Sequence, residues 1–158
     1  MNVSTFKLRR SDAGRVAELS RLSFRDAWSQ RLCSRELTQS WAIGIGPLNG
    51  DGSPSSIDGV IVCGASQGDL HVALVAVDPQ QRGLGLGRRL LEVALRDFEA
   101  MGGGLASLEV RASNEAAISL YQSMHFQVVG FRLGYYRKYD EDAYVMARMV
   151  QPRRGDGA

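Results

Sequence analysis

Gly83, Gly85 and Gly87 fall at every second position of Arg82-Gly83-Leu84-Gly85-Leu86-Gly87-Arg88. They follow the apolar run Leu74-Val75-Ala76-Val77 and the break Asp78-Pro79. A β-branched apolar run reads as a buried strand, and proline ends it because it has a fixed φ and no N–H for the ladder. From Arg88 an apolar helical stripe begins. A strand, a glycine turn and a helix in this order gather backbone N–H groups at the positive end of the helix. Phosphate or pyrophosphate is the ligand that suits such a turn. A flexible glycine turn without a ligand is the competing reading. No Gly-Lys-Ser/Thr follows, which argues against a nucleoside-triphosphate loop, and the strand–helix repeats of a dinucleotide fold are not evident around it.

The elements that must position this turn belong to a chain of 158 residues, one domain's worth and enough for a hydrophobic core. A formal charge of +2 is too weak to argue for nucleic acid, although Arg88 and Arg89 place some of the excess beside the turn. Cys33 and Cys63 lack partners at metal-ligand spacing and are expected as free, buried thiols in a reducing compartment. The N-terminal segment carries no apolar core of signal-peptide length, and no run is long enough to cross a bilayer. A cytoplasmic location is the default expectation.

In chain order, residues 3–9 read as an edge strand. Asp12 is positioned to cap a helix with Val16, Leu19 and Ser23 on one face, and Ser29 to cap a second with Leu32, Cys33 and Leu37 inward. Trp28, between them, is a candidate substrate wall, with core packing as the alternative. Strands are expected over 41–45, 57–65 and 69–77, with a mobile connection at 46–56 and a turn at Ser66-Gln67-Gly68. His71 lies at the polar phase of the fourth strand; it could act as a base, but with no partner motif a structural position is the preferred reading. The helix over 88–101 carries Leu90, Leu91, Ala94, Leu95, Phe98 and Met101 on one stripe, and Gly102-Gly103-Gly104 closes it. A fifth strand over 105–111 turns Ala106, Leu108 and Val110 one way and Leu105, Ser107, Glu109 and Arg111 the other. A helix started by Ser113-Asn114 and running through Met124, strands over 126–133 and 143–150, an aromatic and charged connection at 134–142, and a frayed tail at 151–158 complete the chain. The order β-α-α-β-β-β-α-β-α-β-β describes one α/β domain over 1–150, with a mixed central sheet of about seven strands and about four helices.

The glycine turn matches the Q/R-x-x-G-x-G/A loop of the GNAT acetyltransferase superfamily. Leu108-Glu109-Val110-Arg111-Ala112-Ser113-Asn114-Glu115-Ala116-Ala117-Ile118 with Leu120-Tyr121 extends the match, as do Asp26-Ala27-Trp28-Ser29, Tyr135-Tyr136-Arg137 and Glu141-Asp142-Ala143-Tyr144-Val145-Met146. Together they resemble the RimI-type ribosomal-protein alanine N-acetyltransferases. The resemblance implies a sheet splayed between its fourth and fifth strands and direct transfer from acetyl-CoA to the N-terminal alanine of a small-subunit ribosomal protein, with no metal, nucleic acid or membrane partner. It implies Glu109 as the base and Tyr121 as the acid. Val75, Ala76 and Val77 would run alongside the pantetheine, while Arg82, Gly83, Leu84, Gly85, Leu86, Gly87, Arg88 and Asn114 would contact the cofactor. Tyr135 and Tyr136 would line the peptide side, with packing as the rival role.

Independently of family, a strand Glu is usually a solvated face residue, a Tyr on an apolar helix stripe is usually core, and Asn114 is a sound helix cap. Two departures lie toward the substrate side. Met124-His125-Phe126 replaces the common Leu-Gly-Phe, so the helix must end without its easy left-handed residue, and Gly134 stands where a polar residue often precedes the paired tyrosines. A broader N-terminal, lysine or small-amine acetyltransferase is the alternative within the fold. A non-catalytic acyl-CoA-binding module is the alternative outside enzymes, and the presence of both Glu109 and Tyr121 argues against it.

Overall fold

The computed structural model describes residues 2–39, 41–136 and 141–155. Seven strands, β1 (Ser4–Lys7), β2 (Trp41–Gly46), β3 (Gly59–Ser66), β4 (Asp69–Val77), β5 (Gly104–Arg111), β6 (Gln127–Tyr136) and β7 (Glu141–Val150), follow the expected order. Four helices, α1 (Ala13–Ser23), α2 (Gln30–Gln39), α3 (Leu86–Ala100) and α4 (Glu115–Ser123), lie among them. The sheet runs β1-β2-β3-β4-β5-β7-β6. β4 and β5 are parallel, whereas β1–β2, β2–β3, β5–β7 and β6–β7 are antiparallel. The expected mixed α/β architecture stands. The described β4–β5 register pairs Leu70 with Ala106, His71 with Ser107 and Val72 with Leu108. This ladder covers the first half of β4.

Contacts group the chain into two compact units, Met1–Gly64 with Ala73–Ala94 and Ala65–Val72 with Leu95–Ala158. In the first, Val16 and Leu19 of α1, Cys33 and Leu37 of α2, and Val60 and Val62 of β3 join one core. β2 is buried at five of its six positions, which explains why its sequence does not alternate. A Cβ at Gly44 would meet the Phe6 and Leu8 side chains, so the bare backbone here is a packing requirement. The Ser29 hydroxyl accepts the Leu32 amide at 3.1 Å, as a cap for α2 should. Asp12 does not cap α1: its carboxylate accepts the Arg9 amide at 2.7 Å, closing the 3-10 turn over Arg10–Asp12 instead. Ser23 is not part of the buried face either; Ser20 is, and its hydroxyl accepts the Trp28 amide at 2.9 Å. The 46–56 connection is tied down, with Leu48 bridging Pro54 and the Asn49 amide donating to the Ser53 carbonyl at 2.7 Å.

In the second unit, Ala106, Leu108 and Val110 are buried and Glu109 shares the other face of β5, as the alternation implies. Gln67 and Gly68 both take positive φ, the pattern of a two-residue hairpin turn matched to strand twist. Met101 lies beyond α3 and is exposed, not on its buried stripe. Gly102, Gly103 and Gly104 all have positive φ, and the Gly103 amide reaches back to the Phe98 carbonyl at 2.9 Å. β6 continues through Tyr136, so the expected connection at 134–142 is largely strand; residues 137–140 of it, and 156–158 of the expected tail, lie outside the described residues.

α4 ends without glycine. His125 adopts φ 71°, its amide donates to the Gln122 carbonyl, and the Phe126 amide reaches the Tyr121 carbonyl, both at 3.0 Å. These are the paired bonds of a Schellman closure with histidine at the left-handed position. A side chain there costs about 1 kcal/mol or more relative to glycine. His125→Gly is therefore expected to stabilise the chain by about 1 kcal/mol, raising the melting midpoint by roughly 2–4 °C in calorimetry.

Candidate active site

The glycine turn is braced from behind. Asp78 accepts the Gln80 amide at 2.9 Å and the Arg15 guanidinium at 2.8 Å, while its own amide donates to the Asp58 carbonyl at 2.8 Å. Arg82 is folded back, donating to the Val77 carbonyl and the Ser23 hydroxyl, each at 3.3 Å. Gly83 (φ 78°) and Gly85 (φ 79°) take conformations that side chains resist, and they border open space. Leu84 between them is exposed, whereas Leu86 is buried and roots the helix.

α3 starts two residues earlier than the apolar stripe implies, at Leu86, so Gly87 and Arg88 belong to its first turn. The Arg89 amide makes a helical bond to the Gly85 carbonyl at 3.0 Å. Amides of the turn ahead of that bond have no acceptor within the helix. Val75 and Val77 are half-buried, and Ala76 belongs to the first unit's core. Trp28 is partly buried and packs against that same core.

Arg15, with Gln80 behind it, holds the Asp78 carboxyl below its usual range. Its folded pKa is thus lower than its unfolded one, about 3.9. The resulting stability is fully present above that pH and is lost as pH falls through the folded value. Melting midpoints measured from pH 7 down to 3 should fall at the acid end, and less steeply in Asp78→Asn than in the parent chain.

The second unit holds Glu109, His71 and Tyr121. Glu109 is only 13% exposed at its side chain, and its Oε2 lies 2.6 Å from Nε2 of His71. Its Oε1 is 3.5 Å from the Arg132 guanidinium. His71, for which the sequence offers no partner motif, thus has a partner in Glu109. It pairs with Ser107 across the parallel ladder, which brings it diagonally onto Glu109. Tyr121 is 8% exposed and packs against Phe126 at 6.0 Å between ring centroids. Burial, with Tyr136 adding to it, pushes its phenol up to about 12, so it stays protonated at every physiological pH.

Asn114 caps α4, its Oδ1 accepting the Ala117 amide at 3.2 Å. Arg111 donates to Glu141 at 2.9 Å and lies 4.2 Å from the Tyr136 ring centre. Ser113 also bonds Glu141, first in holding that carboxyl below its usual range, with Arg111 next. Tyr135 is 46% exposed and meets Tyr136 edge-on at 4.9 Å.

Glu109, His71 and Arg132 thus form one cluster, and Arg111, Ser113, Glu141 and Tyr136 a second. Sequence reasoning missed the pairings of His71, Arg132 and Glu141; matching polar phases on two strands was the available signal. A separate cavity of about 670 Å³ beside α2 is lined by Arg10, Arg31 and Arg35 and includes none of the candidate residues. Among the described residues no group of three or more His, Cys, Asp or Glu could hold a metal ion, and no helix is long and apolar enough to cross a membrane.

A mixed open sheet with a short parallel β4–β5 ladder, and a helix opened by a glycine turn, make up the acetyltransferase fold of the GNAT kind. Residues 15–126 match the acetyltransferase (GNAT) family; the chain belongs to that family and is an N-acetyltransferase. It is 40% identical over 144 residues to the N-alpha-acetyltransferase RimI of Mycobacterium tuberculosis, covering 89% of each chain. It is 48% identical over 75 residues to the ribosomal protein bS18 alanine N-acetyltransferase of Escherichia coli, covering 46% of this chain and 51% of that protein. The crystal structure of the Escherichia coli ribosomal-protein-S18-alanine N-acetyltransferase superposes with a TM-score of 0.84 at 26% identity, covering 99% of each chain.

Proposed function

We propose that this N-acetyltransferase moves the acetyl group of acetyl-CoA directly, in a ternary complex, to the α-amine of an N-terminal alanine on a small-subunit ribosomal protein, in the cytoplasm. The observation that carries the chemistry is Glu109, a shielded carboxylate held at both oxygens, by His71 and Arg132. The substrate class rests on the similarity to enzymes named for ribosomal protein bS18.

The residues divide the work as follows. Gly83, Leu84, Gly85 and the opening of α3 fit a diphosphate, since the turn is exposed and open and lies at the positive end of a helix. Val75, Ala76 and Val77 offer main-chain groups to the pantetheine arm, and an amide near Val77 stabilises the oxyanion. An N-terminal amine has a reference pKa of ~8, so it arrives largely protonated, and Glu109 takes its proton. Tyr121 faces the leaving sulfur. Because its phenol sits at about 12 and a thiol near ~8.5, it serves as a hydrogen-bond donor that stabilises the thiolate before any proton is passed. Tyr121→Phe should lower kcat about 10- to 100-fold, the worth of one bond to a charged group, with acetyl-CoA affinity unchanged. Trp28, Tyr135 and Tyr136 contact the peptide.

The test compares three peptides by mass spectrometry: one with the bS18 N-terminal sequence and a free alanine, the same peptide with its N-terminus blocked and a lysine available, and one starting with another residue. Acetylation of the first alone supports the reading. Modification of the lysine sinks it. Equal use of the first and third supports a broader Nα-acetyltransferase, a reading favoured by the likeness to an enzyme named N-alpha-acetyltransferase.

A further inference from the structure

We propose that His71 is the proton outlet of Glu109, carrying to solvent the proton that the carboxylate removes from the incoming amine. The inference rests on the reading of Glu109 as the base and adds a residue to it.

Three observations converge. Nε2 of His71 is 2.6 Å from Oε2 of Glu109, within direct proton-transfer reach. The Glu109 side chain is 13% exposed and the His71 side chain 48%, so the pair runs from a shielded atom to an accessible one. The second carboxylate oxygen is engaged by Arg132 at 3.5 Å, which leaves the histidine side as the described route out. Among the described residues, polar groups on the same strand faces as the pair are Arg132 from β6, Arg111 and Ser107 from β5, and Asp69 two positions back on β4. Arg111 is committed to Glu141.

The balance requires such an outlet. An ammonium and a thioester give an amide, a thiol and one proton left over. The amine N–H bond breaks as an O–H bond forms on Glu109. That O–H then breaks as Nε2–H forms on His71, and Nδ1 releases a proton to water. Glu109 returns ionised for the next substrate.

The test uses the full chain, acetyl-CoA and an N-terminal-alanine peptide in dilute, weakly proton-carrying buffer. His71→Ala should lower kcat at least tenfold and leave KM for acetyl-CoA within twofold. Added imidazole should restore at least half of the lost rate in a saturable way, because a free base can occupy the space of the missing ring. A wild-type kcat in His71→Ala, or a loss that imidazole does not relieve, overturns the proposal. His71→Gln, similar in reach but unable to relay, is measured beside it and should be equally slow; full activity in that variant also overturns the proposal. Glu109→Gln separates the two readings: if it is fully active, the base assignment itself fails, whereas a slow Glu109→Gln beside a fast His71→Ala removes only the outlet.

Discussion

Glu109→Gln is expected to lower kcat by about 10²- to 10⁴-fold while leaving the dissociation constant for acetyl-CoA within about twofold. The substitution keeps size and shape, and an amide oxygen can still accept from Arg132, which lies 3.5 Å from Oε1. It removes the one property the reaction needs, the capacity to take a proton from an amine. Because the side chain is shielded, bulk water reaches the amine's proton poorly in its place. Initial rates on an N-terminal-alanine peptide, with calorimetric binding of acetyl-CoA, separate the two parameters. A variant that binds and turns over like the parent chain would show that another group accepts the proton.

Gly85→Glu should weaken acetyl-CoA binding by about 100-fold or more. Two effects add. Gly85 has φ 79°, which costs a non-glycine residue about 1–2 kcal/mol. A carboxylate placed about 5 Å from a diphosphate contributes a further few kcal/mol of repulsion at intermediate dielectric. Nothing lies within 4 Å of the new Cβ, so a steric clash is not the cause. Gly85→Ala carries the backbone cost without the charge and should lose no more than about tenfold. Raising the salt concentration should narrow the gap between the variants. Equal affinities for Gly85→Glu and the parent would move the diphosphate elsewhere.

The elements of this fold were legible because their signals are local. β4 runs over the residues expected, Asn114 and Ser29 cap the helices assigned to them, and β5 alternates as written. The errors fall where a local signal competes with tertiary context. Helical stripes count apolar side chains, and Gly87 contributes none, so the stripe alone places the start of α3 too late. Asp12 has the right type for a cap, but the Arg9 amide claimed its carboxylate. His125 looked like a lost helix stop, yet the backbone closes in the usual pattern with histidine bearing the strain. At the site, Glu109 and Tyr121 stood out through family motifs, not through residue pattern. The His71–Glu109 pair stayed hidden because it depends on which strands are neighbours and in what register. That information lies in packing across 38 positions of chain, not in any window of it.

Cys33 and Cys63 are 0% and 1% exposed, and both fall in the first compact unit. Burial raises both thiols, that of Cys63 to about 12, and only a thiolate attacks an alkylating reagent at a useful rate. The folded chain should therefore ignore iodoacetamide, so each adduct that does form dates an excursion in which α2 or β3 came loose. The two sulfurs amount to internal stopwatches for breathing of that half of the molecule, readable by mass without any engineered label.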